Sequence, residues 1–144
     1  MLSHVVVEVF RSLKEVGEKR VSRTKVMKLL YLIDRVCTEV YGEKCTGASW
    51  RLWWHGPFSR EVLDVLDELE AQGIVESEVL EHDRGVAVLY SLKEDLGVKG
   101  IFDERLRSII REVVVKWGRR SLDEILEYVY SLPEVRSSSL GDPL

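Results

Sequence analysis

The stretch SWRLWWHGPFSREVLDVLDELEAQGIV, residues 49–75, changes its hydrophobic period midway, and the fold turns on where that change falls. Trp50 to Trp54 alternates as a short strand does, with Trp50, Leu52 and Trp54 toward one face and Arg51 and Trp53 toward the other. His55-Gly56-Pro57 ends that pattern, because glycine and proline interrupt regular structure. Pro57 or Ser59 is then placed to open a helix that turns Val62, Val65, Leu66 and Leu69 inward. Gly73 stands where a helix-ending glycine belongs, with Ile74 as its apolar neighbour. With both faces of the strand covered, Trp50, Trp53 and Trp54 are all core, which is the expected outcome. With one face open, Trp53 is an exposed aromatic of the kind that anchors interfaces.

Upstream, Val5, Val6, Val9, Phe10, Leu13 and Val16 recur at helical steps over residues 3–16, and Gly17 ends the run. Ser22 is an N-cap for a second helix reaching Val40, whose inner face is Val26, Leu29, Leu30, Ile33, Val36, Cys37 and Val40. Downstream, IVESEVL and GVAVLYSL flank Glu-His-Asp-Arg and read as a hairpin. Gly97 to Gly100 reads as a turn. A helix from Asp103 to about Trp117 carries Leu106, Ile109, Ile110, Val113 and Val114. Ser121-Leu-Asp-Glu124 has capping-box spacing and opens a last helix through Tyr130, which Pro133 stops. The expectation is a mainly α (α+β) single domain of about five helices with a small antiparallel sheet. It spans residues 1–134, and 135–144 form a loose tail. A helix that leads through Gly-Ile-Val into a hairpin gives the middle of the chain a winged-helix-like look.

At 144 residues the chain can bury a core without staples. No stretch approaches a membrane span, and the start, broken by Glu8 and Arg11 and lacking a basic leader, does not read as a signal peptide. The expected location is cytoplasmic. There Cys37 and Cys45, the only cysteines, are expected as free thiols. The absence of Asn and the single Gln72, beside abundant charged residues, match the composition of a heat-adapted organism.

Charge bears on the winged-helix look. Residues 59–72 carry Glu61, Asp64, Asp67, Glu68 and Glu70 against Arg60, and the hairpin adds Glu76, Glu78, Glu81 and Asp83 against Arg84. Phosphate neutralisation needs the opposite sign, so nucleic acid is not the expected partner of this element and an acidic face suits a basic protein instead. The alternative, a dimeric winged-helix DNA-binding regulator, would have to use Lys14, Lys19, Arg20, Arg23, Lys25 and Lys28, which otherwise form a solvated helix face and turn. Nucleophilic and metal chemistry find no supporting pattern: His4, His55 and His82 have no partner that can be placed, and the two cysteines lack ligand spacing. The chain is therefore expected to be no enzyme and to need neither cofactor nor metal. A homodimer is compatible with the sequence.

The block Lys25-Val-Met-Lys28-Leu-Leu-Tyr31-Leu-Ile-Asp34, followed by Trp50-Arg-Leu-Trp-Trp-His55-Gly56-Pro57-Phe-Ser59, resembles the Panacea domain of SocA-like antitoxins and YwgA-like small proteins. The likeness covers roughly residues 5–92, and Glu127 to Pro133 is similar to the end of the YwgA-like members. His55 departs from the pattern, where tyrosine often precedes Gly-Pro. The resemblance implies a non-enzymatic protein that neutralises a toxin by direct binding. The matched residues and the exposed aromatic together give the expected partner-binding surface, Lys25, Lys28, Tyr31, Trp53, His55, Gly56 and Pro57, with Lys25, Lys28 and Tyr31 along one helical side, solvated but for a half-buried Tyr31.

Overall fold

The computed structural model describes residues 2–93 and 103–144. Along the chain run α1 (Leu2–Glu15), β1 (Val21–Ser22), α2 (Arg23–Tyr41), β2 (Arg51–Trp53), β3 (Gly56–Phe58), α3 (Arg60–Ala71), β4 (Val75–His82), β5 (Gly85–Leu92), α4 (Glu104–Trp117), α5 (Leu122–Ser131) and α6 (Pro133–Arg136). This is a single α+β domain with two small antiparallel sheets, ordered β1-β5-β4 and β2-β3. The turn expected at Gly97–Gly100 lies outside the described residues.

Helix starts follow the side chains that satisfy their orphan amides. Ser22 accepts from the Lys25 amide, Ser59 from that of Val62, and Asp103 from those of Arg105 and Leu106. Ser121 and Glu124 form the capping box that their spacing announces. α1 is buried on more than one side, with Val5, Val6, Val7, Val9 and Leu13 all inaccessible, because it packs against α3, α4 and β5 together. α2 crosses the centre and touches α4, α5, β3 and β5.

The structure corrects several expectations. The strand at the tryptophans is shorter than 50–54 and folds back: β2 pairs with β3 in the register Arg51↔Phe58, Leu52↔Pro57 and Trp53↔Gly56. Trp54 and His55 are therefore the turn, and Trp54 cannot share a face with Trp50 and Leu52. Trp50 is buried, whereas Trp53 is 47% and Trp54 67% exposed, so the three are not all core. Val40, expected inward, is 61% exposed because the last turn of α2 runs past the core. Ser22 caps α2 as expected but also belongs to β1, a two-residue strand on β5 that no periodicity could announce.

The cysteines are not free thiols: Cys37 and Cys45 form a disulfide, with 5.8 Å between Cα atoms. The tail is not loose either. Pro133 stops α5 but starts α6, as suits its preset φ and missing amide. Residues 141–144 then run beside β2, where the Gly141 amide donates to Leu52 O (2.7 Å), Leu52 N to Asp142 O (2.9 Å) and Leu144 N to Trp50 O (2.9 Å).

Candidate functional site

The β2–β3 hairpin is rooted through one buried carboxylate. Asp34, 2% exposed, projects from the middle of α2 into the loop that precedes β2. Its Oδ1 accepts from the Cys45 amide (3.0 Å) and the Thr46 amide (2.9 Å), and its Oδ2 from Trp50 Nε1 (2.9 Å) and the Thr46 hydroxyl. Four donors satisfy a buried charge that would otherwise be costly to desolvate. The disulfide holds the same loop to the next turn of α2. Trp50 is thereby fixed by both its indole N–H and an edge-on contact with the Tyr31 ring, 5.4 Å between centroids.

With its root fixed, the hairpin lies over α2 and closes on Lys28. The Lys28 side chain is 2% exposed, and its Nζ donates to Pro57 O at 2.8 Å. Burial without an opposing charge pushes its ammonium down to about 7. Gly56 makes this approach feasible: its φ is +90°, and a Cβ there would stand 3.0 Å from Lys28 Cε. Lys28, Trp53, His55 and Gly56 line one cleft of 160 Å³, together with Arg23, Thr24, Met27 and Phe58. Arg23 is steadied there by the Tyr90 hydroxyl, which accepts from its Nε (3.1 Å) and Nη2 (2.9 Å).

At the rim of the cleft the hairpin turn is aromatic and open. Trp53 and Trp54 meet edge to face at 6.0 Å, His55 is exposed beside them, and Tyr130 of α5 donates its hydroxyl to Trp54 O at 3.4 Å.

The residues singled out by sequence divide between places. Lys28, Trp53, His55 and Gly56 surround one cleft, and Pro57 joins them through its carbonyl. Lys28 is no solvated edge, which is a correction. The helical face that carries it turns inward, and the hairpin covers it. Tyr31 is likewise buried rather than half-buried and faces a separate cleft. Its hydroxyl donates to Glu134 Oε1 at 3.2 Å, and the same oxygen accepts Arg35 Nε at 2.7 Å. Burial alone would raise the Glu134 carboxyl, but the bonds from Arg35 and Tyr31 outweigh it and hold it below its usual range. Lys25 is half-buried outside both clefts, its ammonium lowered by burial against the nearby Glu18 carboxylate.

The basic run is accordingly no continuous stripe. Lys28 is internal, Arg23 is turned to Tyr90, and Arg20 pairs with Glu78 at 2.6 Å. Residues missed by sequence reading are Trp54, Tyr130 and Asp34, while Arg23, read only as part of a basic face, lines the Lys28 cleft instead.

Among the described residues no group of three or more His, Cys, Asp or Glu side chains stands together as metal ligands. No helix among them is long and apolar enough to cross a membrane. The family described as "Antitoxin SocA-like, Panacea domain" matches residues 26–134, a span that contains Lys28, Tyr31, the hairpin and α5, with Arg23 and Thr24 of the Lys28 cleft just before it. No curated protein and no solved structure gives a match.

Proposed function

The chain belongs to the SocA-like antitoxin, Panacea-domain family, and on that premise we propose that it neutralises a toxin protein by direct, non-catalytic contact through the β2–β3 hairpin turn. The observation that carries this reading is the pair Trp53 and Trp54, two large exposed aromatics side by side on a turn braced from α2 and α5. Exposed tryptophan costs solvation and is enriched among residues that dominate interface energies. Rigid bracing lowers the entropy lost on binding, because the turn is already ordered. His55 on the same rim, and Lys28, Gly56 and Pro57 behind it, belong to this surface as support rather than as a flat contact. Lys25 and Tyr31 lie outside it.

The acidic face of α3 and β4 favours a partner with a basic surface near its contact patch, through steering rather than through buried pairs. The same charges oppose a DNA duplex.

The test is co-expression with each protein that co-purifies with the chain, scored by relief of growth arrest. Wild type should relieve arrest by one such protein, and the Trp53→Ala/Trp54→Ala variant should not. Its affinity for that protein should fall by at least thirty-fold, about 2 kcal/mol, the level of an interface hot spot. Relief by the variant at full strength, with matching circular dichroism, would remove the turn from the interface. Absence of any arrest-causing partner would remove the antitoxin reading itself.

A further inference from the structure

The Lys28 cleft has an unbalanced charge. Lys28 Nζ, buried at its base, donates one hydrogen bond to Pro57 O, and among the described residues no carboxylate pairs with it. An ammonium has three donors, so two remain. The walls add the Arg23 guanidinium, the Thr24 hydroxyl and the exposed His55 imidazole, and include neither Asp nor Glu. Trp53 and Phe58 supply flat apolar surface to the same space. A buried cation facing a hollow of one sign is an expensive arrangement that an entering anion would relieve.

We propose that this cleft binds a carboxylate carried on a short or flat apolar stem, paired to Lys28 Nζ, with Arg23, Thr24 and His55 as further donors. The 160 Å³ volume suits a single ring or a short chain, since a cavity of about 150 Å³ takes up benzene. The carboxylate comes either on a free small acid or on a glutamyl side chain. This inference stands apart from toxin neutralisation, because it concerns the hollow behind the turn and is tested with small acids alone.

The probes are benzoate, neutral benzamide of the same shape, and N-acetylglutamate α-amide. The readout is the Trp53 indole N–H signal in proton–nitrogen NMR at pH 6.5 and 8.5. Benzoate should shift it saturably and benzamide should not. Lys28 is the lining group whose ammonium burial lowers into this range. A site that needs charged Lys28, whose ammonium lies near 7, should bind benzoate about 25-fold more weakly at pH 8.5 than at pH 6.5. His55→Gln should keep most of that dependence, and Lys28→Met should lose benzoate binding. Saturable shifts with the glutamate amide would assign a side-chain source, and shifts with benzoate alone a free acid.

Equal response to benzamide, retention of binding by Lys28→Met, or an affinity independent of pH would each overturn the proposal. So would the absence of a shift with both acids at pH 6.5. Should Lys28→Met lose its native circular dichroism, the pH profiles of wild type and His55→Gln decide the matter.

Discussion

Lys28 is a lysine whose stem belongs to the core and whose charge does not, and that mismatch has a pH signature. Unfolded, its amine holds its proton to about 10.5; folded, it releases it near 7. Between those values the unfolded chain binds the extra proton, so stability rises with pH across the window and is lowest below it. Wild type should gain on the order of 3 kcal/mol over Lys28→Met between pH 7 and 9.5 in urea denaturation. Parallel pH profiles for the two proteins would refute the burial argument. Gly56 offers a second test at this scale. Gly56→Ala forces a left-handed φ and brings a methyl against Lys28 Cε, so it should cost about 2 kcal/mol or more and pry the hairpin from α2. The loss should appear in denaturation midpoints together with a changed Trp53 environment in fluorescence. The sequence placed Lys28 on one side of a helix with Lys25 and Tyr31, and that spacing holds as geometry. It could not tell that the side faces inward, because burial there comes from a hairpin later in the chain folding over it.

Elements whose boundaries depend on local chemistry were readable in advance. Ser22, Ser59 and Ser121 cap the helices they precede, and the Val75–Leu92 hairpin forms with its turn at Asp83-Arg84. Elements that exist only through pairing at long range were not: β1 needs β5, and the order along 141–144 needs β2. The disulfide was hidden for the same reason, since two cysteines eight residues apart say nothing until a helix end and a loop meet. It closes a short loop, so reduction or Cys37→Ser/Cys45→Ser should cost about 2–3 kcal/mol on the chain-entropy view, measured as a lowered melting temperature. An unchanged melting temperature under reductant would show that the Asp34 bonds hold the loop alone. Deletion of residues 140–144 should remove three backbone hydrogen bonds, two from Leu52 in β2 and one from Trp50 just before it, and cost about 2 kcal/mol, with a loosened hairpin in hydrogen exchange. Indifference to the deletion would mean that the strand is held by β3 and Asp34 by themselves.

Across the whole molecule the net charge of −4 is concentrated where a DNA reader would need the opposite sign. Duplex DNA at physiological salt should show no retardation by the protein, and a shift that weakens steeply with salt would reverse that reading. Fold class and family were legible because two sequence blocks and several caps are local, whereas the two clefts arise only where separate elements meet. One consequence concerns β2 itself. One of its edges is taken by β3 and the other by residues 141–144, so neither is open for an incoming strand to extend the sheet. On the proposed function, recognition through β2 would be written in side chains and not in a main-chain ladder on that strand. On the same proposal, a partner change would need only new residues at positions 53–55, while the scaffold that presents them keeps its shape.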